Sequence, residues 1–312
     1  MYPPLCSSSS NKKIYFNFGN KDNQNCEGIS ELNVWVEFFK TNEMSFLKKI
    51  KKKIADRITQ LYLTRFGVLV NRQRKYPHSI PVIIINYNQL ENLRNLVDFL
   101  QERKVENIII IDNKSDYPPL LQYYENIKLE VTIEFMQENY GHLVFFNNKH
   151  LQEKYGKGYY FLTDADILPN PNLPSNFIEI MIKKMDRYFD KILKIGFALD
   201  LETIPDTYPL KEKVCNWENR FWSNQIEKDV YIADIDTTFA LYKPKYPLKF
   251  NVHPDHFYKA IRLAGNFTCK HMGWYLDPKN LTEEQIHYMK TSSTSNTWKF
   301  DENGNLISVN DY

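Results

Sequence analysis

The chain has 312 residues, 43% of them hydrophobic and 15% aromatic, enough to bury one large core or a core with an appendage. Its 40 basic and 38 acidic residues leave a net charge of +2, which excludes a globally basic nucleic-acid binder and a strongly acidic solvating chain. Cys6, Cys26, Cys215 and Cys269 lack Cys-x-x-Cys or zinc-like spacing and cannot staple so long a chain, so free thiols in a reducing, cytoplasmic setting are expected.

Residues 1 to about 30 are polar and rich in Ser and Asn, an irregular lead-in. The start, Met1-Tyr2-Pro3-Pro4-Leu5, has no basic segment with an apolar stretch behind it, and no window approaches membrane-spanning length, so neither secretion nor a transmembrane anchor is expected. A basic segment follows. Lys48, Lys49, Lys51, Lys52 and Lys53 surround Leu47, Ile50, Ile54, Ile58 and Leu61, whose spacing of three or four residues makes one apolar helical face. One reading packs that face on the main domain with the lysines in water. The other makes residues 45–66 a peripheral membrane contact, drawn to anionic headgroups.

From residue 80 strands alternate with helices. Ile80 to Asn86 is a nearly continuous β-branched run, as expected of a strand covered on both faces. Leu90, Leu93, Leu96, Val97 and Leu100 repeat at helical spacing, and strands are expected again at Ile108–Asp112, Leu129–Phe135 and Tyr159–Thr163. This succession predicts an α/β domain with a mainly parallel sheet flanked by helices, behind an N-terminal helical extension. The expected boundaries are 1–78 for the extension, 79–290 for the domain, in halves 79–170 and 171–290, and 291–312 for a terminal hairpin or tail. Beyond residue 190 strands are expected at Ile192–Leu199 and Val230–Tyr242, separated by an aromatic-rich helix carrying Trp217, Glu218, Phe221 and Trp222. Asn303-Gly304 between Trp298-Lys299-Phe300 and Leu306-Ile307 predicts the hairpin.

Ligands of open parallel sheets bind outside the carboxyl ends of the strands. Three polar strand ends fall there in succession: Asn86-Tyr87-Asn88, Asp112-Asn113 and Asp164-Ala165-Asp166. Residues two apart on a strand project to one side, so Asp164 and Asp166 can face one ligand. Hard divalent cations that also hold phosphate oxygens use such carboxylates.

These residues, in this order, resemble the GT-A glycosyltransferases, particularly the family 2 type. The resemblance rests on Ile83-Ile84-Ile85-Asn86-Tyr87-Asn88, Ile111-Asp112-Asn113-Lys114-Ser115-Asp116, Asn139-Tyr140-Gly141 with the later Asn147, and Leu162-Thr163-Asp164-Ala165-Asp166. It covers roughly residues 80 to 170. It implies a Rossmann-like fold, a nucleotide-binding half at 79–170 and an acceptor half at 171–290. By the resemblance, Asn86, Tyr87, Asn88, Asp112, Asn113, Asn139, Gly141 and Asp164 line the nucleotide pocket, with Asp112 on the base. Asp166 holds a divalent cation, Mn2+ or Mg2+, with Asp164 helping directly or through the ribose and water.

His271, in Cys269-Lys270-His271-Met272-Gly273-Trp274-Tyr275, is a further candidate metal ligand, and its imidazole suits manganese better than magnesium. The competing reading is a histidine bonded within an aromatic core. His253-Pro254-Asp255-His256 is expected to be a solvated loop. A sugar acceptor needs an apolar platform with hydrogen-bonding groups, which Trp217, Glu218, Trp222 and Trp274 supply. For an inverting transfer, the outcome favoured here, Asp236 is the expected general base, followed by Asp234 and Glu218.

The partners implied are a nucleoside-diphosphate sugar, a UDP-sugar foremost, and a glycan, lipid-linked or protein acceptor. No nucleic acid is expected. A sugar-nucleotide-forming nucleotidyltransferase would want a glycine-rich phosphate loop after the first strand, and residues 86–90 contain no Gly. A non-catalytic protein binding sugar or membrane is the other alternative.

Overall fold

A computed structural model describes residues 47–48, 50–244, 259–292, 299–301 and 303–307. The chain divides into two compact units, Met1–Lys52 and Lys53–Tyr312. In the first, residues 47, 48 and 50–52 are helical. The larger unit therefore begins within the basic segment rather than after it.

The larger unit opens with α1 (53–66) and α2 (Val68–Lys75), separated by Gly67. Within the larger unit, the reading that packs the apolar helical face on the domain does not hold for the residues this unit carries. Ile54, Ile58 and Leu61 are exposed, from 54% for Ile54 to 62% for Leu61. Side chains three and four apart share a helix face, and the face of α1 that docks is instead the opposite one. Leu63 is buried there, Arg57 pairs with Asp190 at 3.1 Å, and Gln60 donates to the Asp186 carbonyl at 3.0 Å.

Next come β1 (Val82–Asn86), α3 (Glu91–Glu102), β2 (Ile108–Asp112), α4 (Pro118–Ile127), β3 (Thr132–Phe135), α5 (Val144–Asn147), α6 (Lys149–Tyr155) and β4 (Tyr160–Asp164). β1 pairs in parallel with β2 and β4, and β2 with β3. Val82 and Ile84 of β1 point into one apolar layer and Ile83 and Ile85 into another. A strand buried on both faces reads as a continuous β-branched run, which is why these strands are visible in the sequence. The third strand is shorter than expected, because Leu129 is solvent-exposed before it begins.

The second half holds β5 (Ile167–Pro169), α7 (Phe177–Tyr188), β6 (Lys194–Leu199), α8 (Lys211–Asn219), β7 (Gln225–Glu227), β8 (Val230–Ile232), β9 (Ala240–Tyr242), β10 (Ala260–His271) and α9 (Glu283–Thr291). The strand expected over Val230–Tyr242 is two short strands, and residues 233–239 leave the ladder between them. The described strands form one sheet in the order β3-β2-β1-β4-β9-β6-β10-β8-β7, with β5 on β10. The 3-2-1-4 half is the parallel, Rossmann-like arrangement anticipated. β9 runs antiparallel between β4 and β6, while β6 and β10 are parallel. The carboxyl ends of β1, β2, β4, β6 and β10 consequently share one edge.

The terminal hairpin forms around Gly304 (φ 79°), with Phe300 bridging Leu306. His253 and His256, Trp298, and the cysteines Cys6 and Cys26 lie outside the described residues. Among the described residues no helix is long and apolar enough to cross a membrane.

Candidate functional site

Strand register assembles the first polar ends. Asn86 lies opposite Asp112, and Ile85 opposite Asp164. Asn86, Asn88, Asp112 and Asn113 are almost fully buried, and most of their bonds are internal. Asp112 accepts from the Ser115 amide at 2.8 Å and the Tyr124 hydroxyl at 2.7 Å. Asn86 Nδ2 donates to that same Tyr124 oxygen at 2.9 Å, while Asn86 Oδ1 is buried without a partner. Burial, with Asp112 beside it, pushes the Tyr124 phenol up and keeps it a donor.

Asn88 sits at φ 50°, a conformation Asn tolerates, and its carbonyl oxygen accepts from the Asp116 and Tyr117 amides at 2.9 and 3.1 Å. Asn113 donates to the Gly141 carbonyl at 3.1 Å, and Asn139 accepts from the Gly141 amide at 2.9 Å, where Gly141 turns at φ 73°. These side chains fix the loops that follow β1 and β2 and the Asn139–Gly141 turn.

The second set gathers around Asp164 and Asp166. Asp164 accepts from the Thr237 hydroxyl, and its amide donates to the Thr237 carbonyl at 3.1 Å. β5 pairs antiparallel with β10, setting His271 opposite Ile167 and the Met272 amide 2.7 Å from the Asp166 carbonyl. His271 Nδ1 then lies 3.8 Å from Asp166 Oδ2, is buried, and has no hydrogen-bond partner. The His271 ring stacks on buried Trp274 at 4.8 Å. Burial, then Asp166 and Asp236, push Asp164 well above the usual carboxylate range. A cluster of this kind is short of positive charge.

Two donors at about 2.1 Å from one ion stand no more than about 4.2 Å apart, so the Asp166–His271 pair fits a shared cation. Among the described residues no three His, Cys, Asp or Glu side chains form a ready-made cage. A cation that completes its shell with phosphate oxygens and water needs only one or two carboxylate donors.

Asp234 and Asp236 keep exposed side chains on the 233–239 loop, which two buried cations hold by its main chain. Lys194 donates to the Asp236 carbonyl at 2.8 Å and to the Tyr242 hydroxyl at 3.0 Å. Arg262 Nε donates to the Asp234 carbonyl at 2.8 Å. Burial pulls the Lys194 amine down to about 7 against the opposing pull of Asp236 and Asp234. Glu218 has a structural partner: it is 5% exposed and bonded to Arg262 Nη1 at 2.6 Å.

Trp217 is half-buried under the Arg220 guanidinium at 3.4 Å. Trp222 packs edge-on against Tyr231 at 5.1 Å and lines a cavity of about 530 Å³ with Asn170, Asp200, Glu202 and Asn219. Its indole Nε1 is buried without a partner.

Sequence reading missed several residues here. Asp200 directly follows β6 on the same edge, in keeping with the strand-end rule already applied to Asp112. Tyr288 of α9 stands near both acids, since burial, then Asp166 and Asp164, push its phenol up. α9 also spans the loops after β1 and β2: Thr291 bonds Asn88 at 3.0 Å, His287 bonds Asp116 at 2.8 Å, and Glu284 accepts from the Leu90 amide at 2.9 Å.

No protein-family model and no curated protein sequence matches this chain. Among solved structures it is similar to the mannosyltransferase PcManGT from Pyrobaculum calidifontis in complex with GDP-Man and Mn2+, at 13% identity, 78% of this chain, 76% of that one and a TM-score of 0.39. It is also similar to residues 1–349 of S. aureus TarS, at 12% identity, 68% of this chain, 64% of that one and a TM-score of 0.38. A third is the 4-diphosphocytidyl-2C-methyl-D-erythritol synthase from Anaerococcus prevotii, at 12% identity, 61% of this chain, 90% of that one and a TM-score of 0.33. At these scores none of them assigns the chain to a family.

Proposed function

We propose that this protein is a metal-dependent glycosyltransferase, moving a sugar from a nucleoside-diphosphate sugar to an acceptor hydroxyl. One observation carries the reading: Asp166 and the unpartnered nitrogen of His271, distant in sequence, lie 3.8 Å apart beside Asp164 at one edge of the mixed sheet. The strand-end motifs that resemble GT-A enzymes support it. Asp166 and His271 would hold Mn2+ or Mg2+, with Asp164 alongside. When bound, the cation supplies charge stabilisation to the departing diphosphate.

The chain's own residues do the rest. The loops fixed by Asn86 to Asn88, Asp112, Asn113 and the Asn139–Gly141 turn receive the nucleoside. The cavity beside Trp222 takes the acceptor, with an aromatic face for the C–H side of a sugar and carboxylates for its hydroxyls. Asp236, exposed and one of the charges that push Asp164 up, receives the acceptor hydroxyl proton in an inverting transfer.

The test is a thermal-shift series with UDP, GDP and CDP, each with and without manganese. A ligand of the native state raises Tm according to its concentration and affinity. One nucleotide is expected to shift the wild type only with manganese, and Asp166→Ala and His271→Ala to lose that shift. A full set without any shift defeats the reading.

A further inference from the structure

The outward apolar face of α1 and the start of α2 is a surface feature that the catalytic reading leaves unused. Ile54, Ile58, Leu61 and Tyr62 stand 54–62% exposed on one side of α1, and Phe66 and Val68 are 72% and 84% exposed at its end. The docked side of the same helix carries Arg57, Gln60 and Leu63. A helix held only by its core would turn these faces the other way. The charge is equally lopsided, since residues 48–75 hold ten Lys and Arg against the single acid Asp56, and of the ten Lys53, Arg57 and Arg74 face Asp190 and Asp186.

We propose that this face docks on an anionic lipid bilayer. The aliphatic and aromatic side chains of α1 enter the boundary between headgroups and acyl chains, and the basic residues meet the anionic headgroups. Charge complementarity selects this occupant. A second copy of the chain would bring the same basic segment against itself, and like charges in register repel. A bilayer offers apolar depth and negative charge together. The inference is independent of the proposed chemistry, because it uses no residue of the strand-end site.

The experiment is co-sedimentation of the full chain with phosphatidylcholine vesicles, with and without phosphatidylserine, at low and moderate salt. Binding is expected only with phosphatidylserine and is expected to weaken with salt over the range where the Debye length shrinks. The double variant Ile58→Asp, Leu61→Asp changes exposed positions only, so its melting temperature stays at the wild-type value while vesicle partitioning falls on the order of ten-fold or more. Arg65→Glu with Lys51→Glu is expected to lose the phosphatidylserine preference. Equal sedimentation of wild type and the Asp variant overturns the proposal, as does a wild type that ignores both vesicles. A concentration-dependent dimer in light scattering that the Asp variant dissolves overturns it in favour of a second copy.

Discussion

Glu218 and Arg262 show how one side chain changes meaning between sequence and structure. In the sequence Glu218 lies between tryptophans and reads as an acceptor contact; in the fold it is buried against a guanidinium at 2.6 Å, with Phe221 under that guanidinium at 4.1 Å. Removing one partner of a buried ion pair strands the other charge and costs about 3–5 kcal/mol. Arg262→Met is therefore expected to lose stability on that order in urea unfolding. Adding Glu218→Gln should restore part of it, because the stranded charge is then gone. A Glu218→Gln protein with unchanged stability and no turnover would return the residue to catalysis. Lys194 gives a second test, through pH. Its amine titrates near 7 in the fold and at 10.5 in a free lysine. Between those values the unfolded chain holds a proton that the native chain has released, so stability rises with pH across the window and is level on either side of it. The rise is at most about 5 kcal/mol by linkage. In Lys194→Met, urea midpoints followed across the window should lose that rise.

Elements were legible in proportion to how local their signal is. β1, β2 and β4 announce themselves because both faces are buried, so the apolar run is uninterrupted and its polar end marks the sheet edge. Asp164 and Asp166 are readable for the same reason. β10 is the counter-example. Its twelve residues include Arg262, Asn266 and Lys270, and its register on β6 jumps between Leu263 and Thr268, so neither continuous burial nor a period of two survives. Gly265 takes φ 63° within that excursion. His271 could be singled out by its neighbours, yet its approach to Asp166 depends on β10 reaching β5, a non-local pairing that no local pattern encodes. Lys194 left a faint trace, a lysine inside the run Ile192-Leu193-Lys194-Ile195, whereas the salt bridge that occupies Glu218 left none. The helix-periodic pattern of α1 was correct as a period and misleading as a direction, since periodicity marks which residues share a face and not which way that face turns.

At the scale of the molecule, the N-terminal helices belong to the fold they precede. Gln73 is 3% exposed, and its amide makes both bonds of a missing strand partner: Nε2 donates to the Tyr159 carbonyl and Oε1 accepts from the Tyr159 amide, each at 2.8 Å. A Cβ at Gly158 would lie 2.3 Å from Gln73 Oε1, so a larger residue there must displace that amide from its two bonds. Arg74 grips Asp186 of α7 through two bonds at 3.0 and 2.6 Å, and Leu63 and Val70 enter the main apolar layer. A chain cut at 79, the boundary that composition alone suggests, therefore leaves the Tyr159 main chain at the head of β4 unpaired and opens the layer above it. Each buried polar group left unsatisfied costs about 1–3 kcal/mol, and total domain stability is only about 5–15 kcal/mol. A chain beginning at Lys53 is expected to melt in one cooperative transition close to the full-length Tm, and a chain beginning at Ser79 to melt far lower or to lose its transition. Differential scanning calorimetry of the two decides it. Equal transitions would mean that α1 and α2 are an appendage and that β4 closes without them.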